Sequence, residues 1–262
     1  MSKHLSRFQA AGIHLAISAM VALAFLALVF YVWYPQPYFD IGGGGHLLIV
    51  LIAVDVTIGP LLTLIVFKAG KPGLKRDLAI IAALQITALI LGAGVITNAR
   101  PIYVVWSSDR FVVISPTDIT DAAWQRASAS RYPGPTWTGP ELVSVPMPAD
   151  PQERNKLMFE VLSGNTDLPL EPRLYVPYAE DAESVRARLR DLAEFGASPP
   201  AALAEALAGQ RLEPAEVGWV PLVGRTRSAV MLIGRNDMLP RVLVDVDPWE
   251  YVHKAPKKAQ KP

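Results

Sequence analysis

Few residues in this 262-residue chain have the types and spacing that chemistry needs. Its histidines, His4, His14, His46 and His253, are scattered. None has a ligand partner four residues on, the spacing that sets two metal ligands on one helical face. Cysteine is absent, which removes disulfides, zinc–thiolate sites, iron–sulfur clusters and thiol nucleophiles together. It also fits an oxidising compartment, where a stray thiol is a liability. No Gly-x-Ser-x-Gly turn presents a serine nucleophile. Gly42–Gly45 has glycine but lacks the lysine and hydroxyl that hold phosphate, and follows no strand, so it reads as a flexible turn. Asp245 and Asp247 alternate onto one face of a strand with no histidine beside them, a solvated surface by default. Arg225 and Arg227 flank a turn and suit an anion, a partner or plain surface charge. A net charge of +1 provides no basic face for nucleic acid. We therefore expect no cofactor, no metal and no enzyme, although a catalytic pair assembled from distant segments of an envelope enzyme is an open alternative.

Asp55 carries the most chemical information because of its surroundings. It interrupts the apolar run His46–Phe67, one of three such runs; the others are Gly12–Tyr34, without charge, and Leu78–Asn98, whose one amide is Gln85. Each is long enough to cross a bilayer, which takes about 20 apolar residues. A cleaved signal peptide would have a shorter core and a small-residue cleavage site. Here Trp33, Tyr34, Pro35, Gln36 and Pro37 follow, an aromatic belt and a helix stop, so the first run is read as a retained anchor. A carboxylate at mid-bilayer costs on the order of 2.5–3.5 kcal/mol and should face protein or water. At ~1.5 Å per residue, Asp55 lies about 13 Å from the His46 end, with Gln85 at a comparable, somewhat shallower depth. Pro60 leaves the carbonyl of Val56 without its helical donor, and Thr57 and Thr63 offer local hydroxyls. Asp55, Thr57, Gly59, Pro60 and Gln85 thus form a candidate polar contact. The structural reading has Asp55, neutral or hydrogen-bonded, clamping the second helix to the third through Gln85 or Thr87. The functional reading is a partner-helix contact or a proton-linked switch. Gly92 and Gly94 suggest close helix approach.

The orientation follows from Lys and Arg in short loops. Lys3 and Arg7 precede the first run, and Lys68, Lys71, Lys75 and Arg76 crowd the second connection, whereas Pro35–Gly45 has none. Those basic ends should be cytoplasmic and everything after Asn98 outside. The expected organisation is a cytoplasmic N-terminus (1–11), a membrane region (12–98, helices about 12–34, 46–67 and 78–98), a periplasmic α+β domain (99–253) and a basic disordered tail (254–262).

In that domain, Ile102–Trp106 and Phe111–Ser115 predict a β-hairpin, and Ser115, Pro116 and Asp118 a short helix through Trp124. Glu141–Val145 predicts a strand after the loop Tyr132–Pro140. Asp150, Pro151 and Glu153 predict the start of a helix with a capping-box pattern, apolar at Leu157, Val161 and Leu162, ending at Gly164. Val185, Leu189 and Leu192 predict a helix over Asp181–Phe195, stopped by Gly196, and Ser198 and Pro199 the start of another. Val217–Val223, Ala229–Ile233 and Val242–Val246 read as consecutive antiparallel strands, with a turn at Asn236–Asp237. The fold class is therefore a helical membrane protein bearing a soluble α+β domain with a small antiparallel sheet.

Several dispersed segments together carry a resemblance. They are Gly12-Ile13-His14-Leu15 and Val32-Trp33-Tyr34-Pro35, Val54-Asp55-Val56 with Gly59-Pro60-Leu61-Leu62-Thr63, and Arg100-Pro101-Ile102-Tyr103-Val104-Val105 with Asp109-Arg110-Phe111. To these add Gly218-Trp219-Val220-Pro221-Leu222-Val223-Gly224-Arg225 and Asp247-Pro248-Trp249. In this order the chain resembles the type IV pilin accessory proteins of the TfpX/TfpZ family. The resemblance implies a non-enzymatic inner-membrane chaperone or modulator of pilus assembly or dynamics. Its partners would be the major pilin, the assembly machinery and membrane lipid. Body residues in the matching segments, Arg100, Tyr103, Trp219, Arg225 and Trp249, become candidate partner contacts. Pilins usually carry an acidic residue near the start of their membrane helix, which an ionised Asp55 would repel without a shared proton. Asp55 is accordingly placed inside the bundle. A membrane-anchored periplasmic sensor is the other alternative, although no cytoplasmic output module is visible.

Overall fold

The computed structural model describes residues 5–42, 45–196 and 199–252. Lys3, His4, Gly43, Gly44, Ser198, His253 and the 254–262 tail fall outside them. The chain splits into two compact units, Met1–Phe39 with Gly43–Arg100, and Asp40–Gly42 with Pro101–Pro262.

The first unit contains three helices long and apolar enough to cross a bilayer, Arg7–Trp33, Leu48–Val66 and Leu74–Ala99, as expected of a membrane protein. The first begins earlier than hydropathy alone suggests. Ser6 Oγ accepts from Gln9 N (3.2 Å) while Gln9 Oε1 accepts from Ser6 N (2.9 Å), a capping box that satisfies two exposed donors. The second helix packs against both of the others. Glycine permits one of these approaches, because a Cβ on Gly92 would lie 2.5 Å from Leu51 Cδ1. Gly94 has open space around it, so the expected close approach holds at only one of the pair. Trp33 and Tyr34 do not form a lipid-facing belt. They are buried with Val29, Leu48 and Ile96 in a cluster ringed by Phe25, Phe30 and Phe39. There Tyr34 donates its hydroxyl to the Ile96 carbonyl at 3.0 Å, which satisfies a polar tip that burial would otherwise strand.

The second unit is built on a seven-stranded mixed sheet in the order β4-β3-β1-β2-β5-β6-β7. Its strands are β1 Tyr103–Ser107, β2 Arg110–Ile114, β3 Glu141–Ser144, β4 Val176–Pro177, β5 Val217–Val223, β6 Ser228–Gly234 and β7 Pro240–Val244. The hairpin β1–β2 and the meander β5–β6–β7 are antiparallel, as the patterns predict. Two parallel junctions, β1 with β3 and β2 with β5, merge them into one sheet larger than those pieces suggest. Both faces of its central strands are buried, so β1 and β5 read as continuous apolar runs rather than alternation. One core gathers Tyr103, Val105, Ile114, Tyr132, Val143, Leu157 and Tyr175; another gathers Phe195, Leu203, Trp219, Val230, Leu232 and Val244.

Three helical expectations change. The stretch after Ser115 splits into a 3-10 turn, Pro116–Asp118, and a helix, Asp121–Ala127, each with its own cap. Pro151–Leu162 is a helix capped by the Asp150 carboxylate, which accepts from Gln152 N and Glu153 N, but Leu162 turns out to solvent. Asp181–Phe195 is not one helix. It forms the short turns Tyr178–Asp181, Glu183–Arg186 and Leu192–Phe195. Between them, Arg190 exchanges both backbone hydrogen bonds with Trp219 at 2.9 Å, and Arg190 stacks 4.4 Å from the Trp219 ring. Gly218 makes room, since a Cβ there would meet Leu189 Cγ at 2.5 Å and Arg190 O at 2.8 Å. Tertiary pairing thus overrides a helical charge pattern.

The first connection contributes to the sheet unit. Ile41 is fully buried, its carbonyl accepts from Thr226 N (3.3 Å) and Thr226 Oγ1 (2.9 Å), and a Cβ on Gly224 would fall 1.9 Å from Ile41 Cγ2. Two of the spanning-length helices separate Ile41 from Pro101, so crossing a bilayer with both returns the chain to the side it left.

Three tyrosines in this unit set its alkaline limit. Burial raises the phenols of Tyr103, Tyr175 and Tyr178 above their ordinary value, and each donates to a carbonyl, of Gly134, Pro169 and Met238 respectively. The fold favours the neutral phenol. Its contribution is therefore complete below the unfolded value of about 10 and is lost as pH rises beyond it. Thermal melting of the detergent-solubilised protein, followed by tryptophan fluorescence, should be level from pH 8 to 9 and fall above pH 10. Tyr175→Phe should make that fall shallower; an unchanged slope would contradict the assignment.

Candidate intramembrane polar site

Asp55 sits near the middle of the Gly45–Val66 helix, and the structure brings Gln85 of the third helix onto it. Gln85 Nε2 donates to Asp55 Oδ1 at 2.8 Å and to the Asp55 carbonyl at 3.1 Å. Gly59 makes this possible. It lies one turn along the same face, and a Cβ there would fall 2.1 Å from Gln85 Nε2. Without that Cβ the amide lies directly on the backbone of the second helix. Pro60, buried beside Gly59, cannot supply a helical donor to Val56 O, which adds a second polar irregularity on the same stretch. Thr57 is exposed and takes no part in the contact, and Thr87 likewise faces away. Of the five residues singled out, the structure groups Asp55, Gly59, Pro60 and Gln85 and leaves Thr57 outside.

A second polar link joins the first helix to the second. His14 Nδ1 and Thr63 Oγ1 share a hydrogen bond of 2.5 Å, with Thr63 buried. Pattern reading treated His14 as an isolated histidine. A signal was available: His14 and Ser18 are four residues apart, a polar pair on one face of an otherwise apolar helix, and Ser18 is buried. Thr63 lies eight residues beyond Asp55, about 12 Å along the helix, so this link is separate from the Asp55 contact.

The three helices bound a groove of about 250 Å³. Ile17, Ser18 and Val21 of the first helix line one wall, and Ala82, Gln85, Ile86 and Leu89 of the third line the other; Asp55 and His14 also border it. Gln85 Oε1 is buried without a hydrogen-bond partner among the described residues. Gln85 Oε1 is thus an unmet acceptor in a hydrocarbon-depth setting where an unmet polar group is costly, with the Ser18 hydroxyl bordering the same groove.

The body's candidate contacts divide by burial. Arg100 belongs to the first unit, is 4% exposed and donates to the Thr97 carbonyl at 2.6 Å, a cation on the last turn of a helix. Tyr103 and Trp219 are core residues at 1% and 0% exposure. Offered as candidate partner contacts, these three are buried within this chain, where two aromatic rings and a hydrogen-bonded cation act as internal supports. Arg225 is exposed, 3.5 Å from Asp118 Oδ1, and Trp249 is half-buried, donating to Ser228 Oγ with Arg110 5.6 Å from its ring. Asp245 pairs with Arg227 at 3.1 Å. Among the described residues, no group of three or more His, Asp or Glu is placed to hold a metal ion.

Fold and site together define a membrane protein of two units, an apolar three-helix part with internal polar links and a mixed-sheet body. It belongs to the family of fimbrial assembly proteins FimB. The family's profile matches residues 2–43. The fimbrial assembly protein of Dichelobacter nodosus serogroup E1 is 32% identical over 246 residues, 91% of this chain and 95% of the relative. The serogroup I protein of the same organism is 31% identical over the same extent. The protein of serogroups C1 and C2 is 40% identical over 111 residues, 41% of this chain and 84% of that relative. No solved structure matches.

Glycine geometry yields a paired test. Gly59→Ala should push Gln85 off Asp55 and lower bundle stability by about 1–2 kcal/mol, the upper range of one membrane hydrogen bond plus local repacking. Gly94→Ala, with nothing within 4 Å, should be neutral or slightly stabilising. Equal effects in a detergent-denaturation assay would contradict the contact.

Proposed function

We propose that this protein is a non-enzymatic accessory protein of the bacterial inner membrane. It binds a membrane-resident type IV pilin and acts in pilus assembly or dynamics as a chaperone or modulator, as its likeness to the TfpX/TfpZ proteins implies. One observation carries the reading: relatives called fimbrial assembly proteins align over 246 residues, spanning both the membrane helices and the body. Lys68, Lys71, Lys75 and Arg76 in the second connection, against none in Pro35–Gly45, support a cytoplasmic N-terminus and a periplasmic body. The two-unit layout suits such a client. A pilin awaiting assembly has one apolar helix in the membrane and a globular head outside. The three-helix unit would engage the helix by close packing at small residues, and the body would engage the head through surface groups such as Arg225 and Trp249. The assembly machinery is a second partner in this reading, and lipid surrounds the helices.

Photo-crosslinkers placed at Arg225 and on the second and third helices should recover pilin from intact cells. Deletion of the gene should lower pilin abundance or the number of surface pili. Recovery of no pilin from any position, with pilin and pili unchanged after deletion, would contradict the proposal.

A further inference from the structure

Three carboxylates follow one another after β4, and their surroundings differ. Glu180 pairs with Arg131 at 3.2 Å and Glu183 with Arg186 at 2.8 Å, both out in solvent. Asp181 is half-buried, and among the described residues it has no ion pair. Two hydroxyls, of the fully buried Ser144 and of Ser184 (3.0 Å), donate to the same oxygen, Asp181 Oδ2. Trp106 Nε1 donates to Ser184 Oγ at 2.8 Å, so indole, hydroxyl and carboxylate are held as one chain. Asp181 Oδ1 receives no hydrogen bond among the described residues.

Asp181 lines a surface pocket of about 210 Å³ in the body. Buried Trp106, Val145 and Leu168 form its apolar wall, and Pro146 and the exposed Met147 its rim. The other polar side chains bordering it are the hydroxyls of Ser108 and Ser184, and no Lys, Arg or His does. A hydroxyl can share a hydrogen bond with a carboxylate but brings no charge to neutralise it. Small-molecule sites usually measure about 300–1,000 Å³, so this pocket suits a single side chain better.

We infer that the pocket receives a lysine side chain of a partner protein. The inference rests on the reading that the body engages the soluble part of a pilus subunit, and names the chemistry of that contact. The apolar wall matches the aliphatic stem of lysine, and the carboxylate matches its ammonium. Arginine suits the site less, because its fork takes both oxygens of a carboxylate and Oδ2 already serves two hydroxyls. An apolar side chain would seal Asp181 from water without a countercharge, a cost that makes the contact selective.

The test uses the full-length protein in its native membranes and a water-soluble carbodiimide. The reagent activates a carboxylate, and an amine resting against it displaces the activating group as a urea and leaves an amide. Mass spectrometry of the purified protein should find Asp181 joined to one lysine of a second protein. Asp181→Asn retains an acceptor for Ser144 and Ser184, so it should keep wild-type abundance and lose the link. Met147→Arg, at an exposed rim position, brings a guanidinium of the chain's own to the pocket. Without the reagent, both variants should lower co-purification of the same partner about ten-fold, the scale of one hydrogen bond to a charged group. Absence of any amide at Asp181, a small amine or a lysine of this same chain in its place, or co-purification unmoved by both variants would overturn the inference. A link to a lysine of a protein other than pilin would support the pocket and count against the pilin as client. Pilin captured at Arg225 with no amide at Asp181 would sink the pocket and leave that client in place.

Discussion

A carboxyl group held at mid-bilayer depth must find its partners within protein, and this constraint organises the membrane unit. Asp55 can be accommodated because Gln85 approaches from the third helix, and Gln85 can approach because position 59 has no side chain. The backbone supports the same arrangement. Gly59 and Pro60 interrupt regular helix chemistry one turn from the carboxyl, where an approaching amide compensates. A separate link, His14 with Thr63, ties the first helix to the second. The second helix is thus the shared element, joined to each neighbour by a polar contact and to the third also by close packing at Gly92. Lipid gives no hydrophobic drive for helices to associate, so specific links of this kind must supply the association.

The body obeys a different rule. In water, seven strands become stable when both faces are covered, and the parallel junctions of β1 with β3 and β2 with β5 create the wide sheet that allows it. Ile41 connects this logic to the chain's path. A residue of the first connection is buried between Gly224 and Thr226, so that connection shares a compartment with the body. Lys and Arg counts point to the same arrangement by an unrelated route.

Much of this was legible from residue patterns. Uncharged apolar runs announce spanning helices because insertion has one dominant energetic term. The pairing of Asp55 with Gln85 was readable because polar residues at matching depth have few alternatives. The hairpin and meander followed from alternating and β-branched runs bounded by turns. What escaped had a tertiary cause. Residues 181–195 have helical charge spacing, yet the backbone of Arg190 pairs with Trp219, a contact 29 positions away that no local window contains. Trp33 and Tyr34 look like an interfacial belt, and only packing against Leu48 and Ile96 reveals them as a core. Arg100, Tyr103 and Trp219 stood out by type, but type does not distinguish an aromatic that binds from one that is buried. The parallel junctions join strands distant in sequence, with no turn between them to read.

The polar clamp is the claim on which the membrane unit stands, and a double-mutant cycle measures it directly. Asp55→Leu, Gln85→Leu and the double variant would be compared with the parent by reversible unfolding in detergent. A coupling of about 0.6–1.7 kcal/mol between the two positions is the predicted result, from the average to the maximum for interhelical hydrogen bonds in a membrane protein. Strictly additive effects would mean that Asp55 and Gln85 do not hold the two helices together, and the account of the membrane unit would fail.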